Sequence, residues 1–155
     1  MIKQKIAQLI RQINPSLEQL KDDHCIIGSA AMMLSGLNVE TINDMDLLVS
    51  HVDADKLKLL WSGKRRQDYI PENTRLFRSN FGRFDFGEID VEVMGKLEVF
   101  KDDRWLPVTV MQAIEISFGE IKLKIPTLEE QHRIFLLFGR PKDIYKAKII
   151  EDFLA

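Results

Sequence analysis

Two aspartates two positions apart, in a run that is otherwise apolar, constrain this chain more than any other feature. The run is Asp44-Met45-Asp46-Leu47-Leu48-Val49. It reads as a β-strand, and side chains alternate along a strand, so Asp44, Asp46 and Leu48 share one face while Met45, Leu47 and Val49 share the other. Two like charges are thereby held side by side. Adjacent carboxylates repel unless a cation or a proton neutralises them, so the pattern asks for Mg²⁺ or for a raised carboxyl pKa.

A second acid-bearing strand follows. In Glu88-Ile-Asp-Val-Glu-Val-Met-Gly95, the side chains of Ile89, Val91 and Val93 face one way and those of Asp90, Glu92 and Met94 the other. Alternation alone does not choose between Asp90 and Glu92 as a partner for the first pair. Upstream, His24 to Ile27 reads as a short buried strand, Gly28-Ser29 as a turn, and Ala30 to Leu34 as a helix ended by Ser35-Gly36. A glycine at such a junction lets backbone approach a ligand, and the unpaired N–H groups that open a helix suit a phosphate. The G-x-x-x-x-G-K-[ST] spacing of a Walker loop is absent.

Around these parts the chain alternates helices and strands, and then its strands cluster. Ile2, Ile6, Leu9, Ile10 and Ile13 give an opening amphipathic helix that Asn14-Pro15 is expected to interrupt. Asp53 to Trp61 reads as a helix with an acidic first turn. Arg75 to Asn80 and Arg83 to Phe86 read as strands separated by a turn at Gly82, and Gly95 closes the second acidic strand. Trp105 to Val110 is a weaker strand because Pro107 cannot donate to a ladder. Ile114 to Phe118 and Ile121 to Ile125 form a hairpin. Thr127-Leu-Glu-Glu130 is a capping box before a helix that Gly139 stops, and Pro141 starts a last helix. This order predicts an α/β (α+β) domain: one mixed β-sheet flanked by helices, with C-terminal helices, over residues 1–155. The core spans about 24–126 and the helical tail about 127–155.

Composition narrows the function classes. With 22 basic and 24 acidic residues the net charge is −2, so no global field for nucleic acid is expected. The distribution is uneven: Lys56, Lys58, Lys64, Arg65, Arg66, Arg75, Arg78 and Arg83 face only Asp68 and Glu72 between positions 56 and 83. Arg75, Arg78 and Arg83, on strands beside the acids, are candidate phosphate ligands. A lone Cys25 excludes an internal disulfide, and no spaced His/Cys set suggests zinc. No apolar run approaches a membrane span and the amino terminus is not signal-like, so a cytoplasmic location and no membrane partner are expected.

In combination, the run I-I-G-S-A-A, then D-M-D-L-L-V, then I-D-V-E-V-M-G resembles the nucleotidyltransferase superfamily related to DNA polymerase β, and more narrowly its small stand-alone bacterial and archaeal members. The family pattern is h-G-[GS], then [DE]-h-[DE]-h, then h-[DE]-h. The resemblance implies that Gly28 and Ser29 hold a nucleoside triphosphate; from the basic stretch, Arg75 and Arg78 are expected as further nucleotide ligands. It also implies that Asp44 and Asp46 bind metal, with Glu92 as the third acid and Asp90 as the alternative. The implied cofactor is Mg²⁺, two ions with bound NTP. The implied reaction moves a nucleoside monophosphate to an acceptor hydroxyl on a small molecule or a protein, since the chain lacks the further domains of a template-directed polymerase. The alternative is a non-catalytic nucleotide-binding or toxin-antitoxin partner module on the same fold. Met32-Met33 stands where many antitoxin-type members carry an arginine.

Overall fold

Ile6, Leu9, Ile10 and Ile13 recur at helical spacing and are buried in α1 (Ile2–Leu17), the first element of a computed structural model that describes residues 1–155. The chain continues through β1 (Cys25–Ile27), α2 (Gly28–Leu34), β2 (Asp44–Val49), α3 (His51–Leu60), β3 (Phe77–Asp85), β4 (Asp90–Lys101) and β5 (Arg104–Pro107). It closes with β6 (Ala113–Phe118), β7 (Ile121–Pro126), α4 (Leu128–Phe138) and α5 (Pro141–Leu154). Five helices flank a mixed sheet, as expected.

The sheet order is β1-β2-β4-β3, with β5 beside the distal part of β4. β2 and β4 run parallel; every other pairing is antiparallel. The apolar face of the central pair, Met45, Leu47, Val91 and Val93, is sealed by Ile6, Ile10 and Ile13 of α1 and Ala54 and Leu57 of α3. Each of the large side chains buried here is worth roughly 1.5–3 kcal/mol, which anchors the two strands from behind. The opposite face carries the acids at one end and, further along, a smaller cluster of Leu48, Leu97, Val99 and Ile134 beneath α4. Met32 of α2, Phe135 of α4, and Ala147 and Ile150 of α5 form a third cluster, which ties the last two helices to α2. The β6–β7 hairpin is a separate sheet that lies along β1. No helix is long and apolar enough to cross a membrane.

Three breaks expected from the sequence are not breaks. Helix α1 runs through Asn14-Pro15 to Leu17 with Pro15 inside it. Proline forfeits one helical bond, but Leu17 is buried and the Ser16 hydroxyl accepts from Trp61 Nε1 at 2.9 Å, so tertiary contacts hold the last turn. Gly82 lies within β3 rather than in a turn. A Cβ there would come within 2.8 Å of the Phe84 ring, so the glycine makes room for an aromatic. Gly95 lies within the 12-residue β4, where a Cβ would meet Ala54 at 2.6 Å. Next to it Lys96 is left-handed (φ 52°), and the register with β3 shifts between Arg78 and Asn80. The irregularity exchanges the faces of β4: Val91 and Val93 point to α1, Leu97 and Val99 to the other side.

The caps follow the sequence more closely. Thr127 Oγ1 accepts from the Glu130 N–H at 3.2 Å and left-handed Gly139 (φ 72°) ends α4, but the expected capping box is only half formed, because the Glu130 carboxylate accepts from the Met111 N–H and from Arg133 instead of from Thr127. Arg140 and the buried Asp143 exchange bonds across the first turn of α5, with Arg140 Nε donating to Asp143 at 2.6 Å.

Candidate metal centre

Parallel pairing of β2 with β4 sets Asp44 opposite Asp90 and Asp46 opposite Glu92. Main-chain hydrogen bonds fix this register, so the acids are brought together by the sheet itself. One carboxylate oxygen each from Asp44, Asp46 and Glu92 lies within 4.8 Å of the others, and all three residues are half-buried. At that separation, and with an effective dielectric near 20, each pair of charges repels by roughly 3–4 kcal/mol.

Gly28 closes the cluster on one side. It is left-handed (φ 74°) at the β1–α2 junction, and a Cβ would stand 2.7 Å from Asp46 Oδ2. Both conformation and space therefore demand glycine. Ser29 follows in the first turn of α2, half-buried. Asp46 Oδ1 is buried and finds no hydrogen-bond donor in the protein. Burial, then the charges of Asp44 and Glu92, push the Asp46 carboxyl well above the usual carboxylate range. Burial and Asp44 also raise Glu92, against the pull of Arg83.

Arg83 of β3 is the nearest counter-charge. Its Nη1 donates to Glu92 at 2.9 Å and reaches Asp44 at 3.4 Å, while Nε donates to Asp90 at 2.7 Å. Tyr69 lies under the guanidinium, 4.7 Å from ring centre to Cζ. Burial works against this charge, but the bonds to Asp90 and Glu92 outweigh it and raise the Arg83 pKa. Asp90 is spoken for: Arg66 grips it with two bonds of 2.6 and 3.0 Å, and Arg83 adds a third. Burial alone would raise Asp90; these guanidiniums outweigh it and hold the carboxyl below its ordinary value. The expected alternative third acid thus stands beside the cluster in a structural ion pair, and Glu92 stands within it.

Around the cluster, Arg83 is shared among Asp44, Asp90 and Glu92, and Arg66 between Asp90 and Asp85, so the acids outnumber the guanidiniums that offset them. A hard oxygen donor set with that imbalance and an orphaned inner oxygen fits a divalent cation such as Mg²⁺ or Mn²⁺.

The other expected phosphate ligands lie elsewhere. Arg78 pairs with Glu98 at 2.7 Å and stacks over Trp105. Glu98 is six residues beyond Glu92 along β4, about 20 Å at strand rise. Arg75 is exposed in the turn before β3, at the same remote end. Their side chains are aimed by the register of β3, which Gly82 was expected to interrupt. The cation on the Gly28 side is instead Lys146 of α5. It is half-buried, its Nζ lies 5.6 Å over the Phe135 ring, and it enters no ion pair. Burial lowers its pKa, with Asp143 and Asp46 opposing. A sequence signal for it exists: Asp143, Ala147 and Ile150 form the buried stripe of α5, and Lys146 flanks that stripe. Cys25 is a buried hydrophobe whose thiol pKa is pushed up to about 11 by burial.

No family model matches the chain, and no curated protein matches it. Among solved structures it superposes on a Thermotoga maritima protein provisionally described as a nucleotidyltransferase, with a TM-score of 0.77. The two share 24% sequence identity over 99% of this chain and 95% of the other. The fold is therefore the nucleotidyltransferase fold.

Proposed function

We propose that this chain is a Mg²⁺-dependent nucleotidyltransferase that moves a nucleoside monophosphate from an NTP to a hydroxyl of a small molecule or a protein. The observation that carries the reading is the convergence of Asp44, Asp46 and Glu92 beside a left-handed glycine whose missing Cβ leaves room for the Asp46 carboxylate. Asp44, Asp46 and Glu92 would hold the metal ions. When bound, Mg²⁺ supplies charge stabilisation for the transferring phosphoryl group and its leaving group.

The protein's own groups divide the remaining work. Gly28 backbone lies against the Asp46 carboxylate, Ser29 opens α2 beside it, and Lys146, whose charge is felt by Asp46, would offer a cation to the triphosphate. Arg83 holds Glu92 in place from the other side. Glu92, held by Arg83 at the β4 side of the cluster, would receive the acceptor's proton. The acceptor oxygen bonds to the α-phosphorus as the bond from that phosphorus to the β-bridging oxygen breaks. The oxygen's proton passes to Glu92, and pyrophosphate departs with the bonding pair.

Isothermal calorimetry with NTP and Mg²⁺ tests the reading. Binding should require metal and weaken at least tenfold in Asp44→Asn/Asp46→Asn. Metal-dependent binding that survives unchanged in the double variant would contradict it. Tight binding with no nucleotide transfer to any hydroxyl would favour the non-catalytic module.

A further inference from the structure

Arg83 does more than hold Glu92 in place, because its guanidinium stands between two of the three acids. Nη1 donates to Glu92 Oε2 at 2.9 Å and reaches Asp44 Oδ2 at 3.4 Å. In a two-metal site such carboxylates are joined by a pair of ions about 3.5–4 Å apart. The geometry points to a one-ion centre, in which Arg83 supplies the second positive charge and a single divalent cation sits on the Asp46 side of the cluster; the inference rests on the proposed transferase reading.

The sheet itself delivers the guanidinium. Arg83 of β3 lies directly opposite Glu92 of β4 in the antiparallel register, so both side chains leave the same face. Further contacts keep it there. Nε donates to Asp90 at 2.7 Å, and Arg66 fixes the same carboxylate with bonds of 2.6 and 3.0 Å. The Tyr69 ring covers Arg83 Cζ at 4.7 Å and is itself stacked on Phe81, two positions earlier on the same face of β3. A side chain bound through both Nε and Nη1 cannot swing away without giving up two charge-assisted bonds. Unlike a metal ion, it can be neither chelated nor deprotonated near neutral pH.

Donor atoms then limit the ion count. Glu92 Oε2 and Asp44 Oδ2 already face Nη1, and an ion placed on both would meet a fixed like charge. Asp46 is the acid that no guanidinium reaches, and its buried Oδ1 has no donor. One ion seated there would draw on Asp46 and on the second oxygens of Asp44 and Glu92, with water and the triphosphate completing its shell. In a two-ion clamp one ion serves the attacking oxygen and the other the leaving oxygens. Here the ion serves the triphosphate beside Gly28, and Arg83 acts on the acceptor's side through Glu92, as a positioning residue with a permanent charge.

Counting bound Mn²⁺ by the electron paramagnetic resonance signal of the free ion tests this on the full chain, alone and with α,β-methylene-ATP. The parent protein should hold one ion in both samples. Arg83→Gln removes the charge while Arg66 keeps its grip on Asp90. This variant should bind the first ion at least tenfold more tightly and take up a second when the analogue is present, and Arg83→Lys should restore the count of one. Two ions in the parent complex would overturn the inference whether or not the variants fold, and so would Arg83→Gln with the parent's count and affinity. Should the analogue fail to bind, the transferase reading falls, while the affinity of the chain's own ion in the parent and in Arg83→Gln still decides the inference.

Discussion

Asp46 is the residue under greatest stress. Its inner oxygen has no donor, two carboxylates press on it, and Gly28 backbone closes the space behind it. A carboxyl whose folded pKa lies above its unfolded value stabilises the fold only while it is protonated. The contribution is full below the unfolded pKa and is lost as pH rises through the raised folded pKa. At neutral pH and without metal, Asp46 is therefore a net liability. Asp46→Asn should raise the stability of the metal-free protein at pH 7 by about 1–2 kcal/mol, with the gain vanishing near pH 3, as read by urea unfolding at both pH values. A gain independent of pH would show that the stress is not electrostatic. An acid alternating with apolar side chains is ordinarily a solvated strand face; the cluster was legible only from the combination of Asp44 and Asp46 with Gly28-Ser29 upstream and a second acidic strand downstream. The choice of Glu92 over Asp90 came from the family resemblance and not from alternation, because both share a face and in the structure the positions of Arg66 and Arg83 separate them. Tyr69 was missed because it reaches the site through tertiary packing that no local pattern encodes; Lys146 carried only the weaker signal of flanking the buried stripe of α5.

At the scale of elements, β4 is the spine of the site. It pairs with β2, β3 and β5, and α3 crosses it so closely that only glycine fits at position 95. Gly95→Ala would drive a methyl into Ala54 at 2.6 Å and against the Ser50 carbonyl at 3.1 Å. Thermal or urea unfolding should show a loss of about 1–3 kcal/mol, the usual cost of overpacking, although position 95 lies outside the cluster. Helix and strand identities were readable from periodicity, and the caps at Thr127, Gly139 and Pro141 from their chemistry. The misread boundaries at Pro15, Gly82 and Gly95 share one cause. Each residue breaks local structure on average, but here a neighbour (Trp61, Phe84 or Ala54) gives it a packing reason to sit inside an element.

For the whole molecule, a ligand that binds only the native state adds stability by mass action, about 2.7 kcal/mol at one hundred times its dissociation constant. For a chain of this size that amounts to a rise in Tm on the order of 5–10 °C. Saturating Mg²⁺ should produce such a rise in the parent protein and none in Asp44→Asn/Asp46→Asn, by differential scanning calorimetry. An equal rise in both would place the stabilising ion elsewhere.

The parallel pairing of β2 and β4 also fixes when the centre can exist. Asp46 and Glu92 are 46 positions apart in sequence, and the strands that carry them meet only after a long crossover closes through α3 and β3. Such non-local pairing forms late on the way to the native state. The approach of Glu92 to the Asp44–Asp46 pair is therefore deferred until that pairing forms, and the three-carboxylate set does not exist before it. Added Mg²⁺ should accordingly leave the refolding rate almost unchanged and act by slowing escape from the finished structure, making the cation a lock on a door that has already shut.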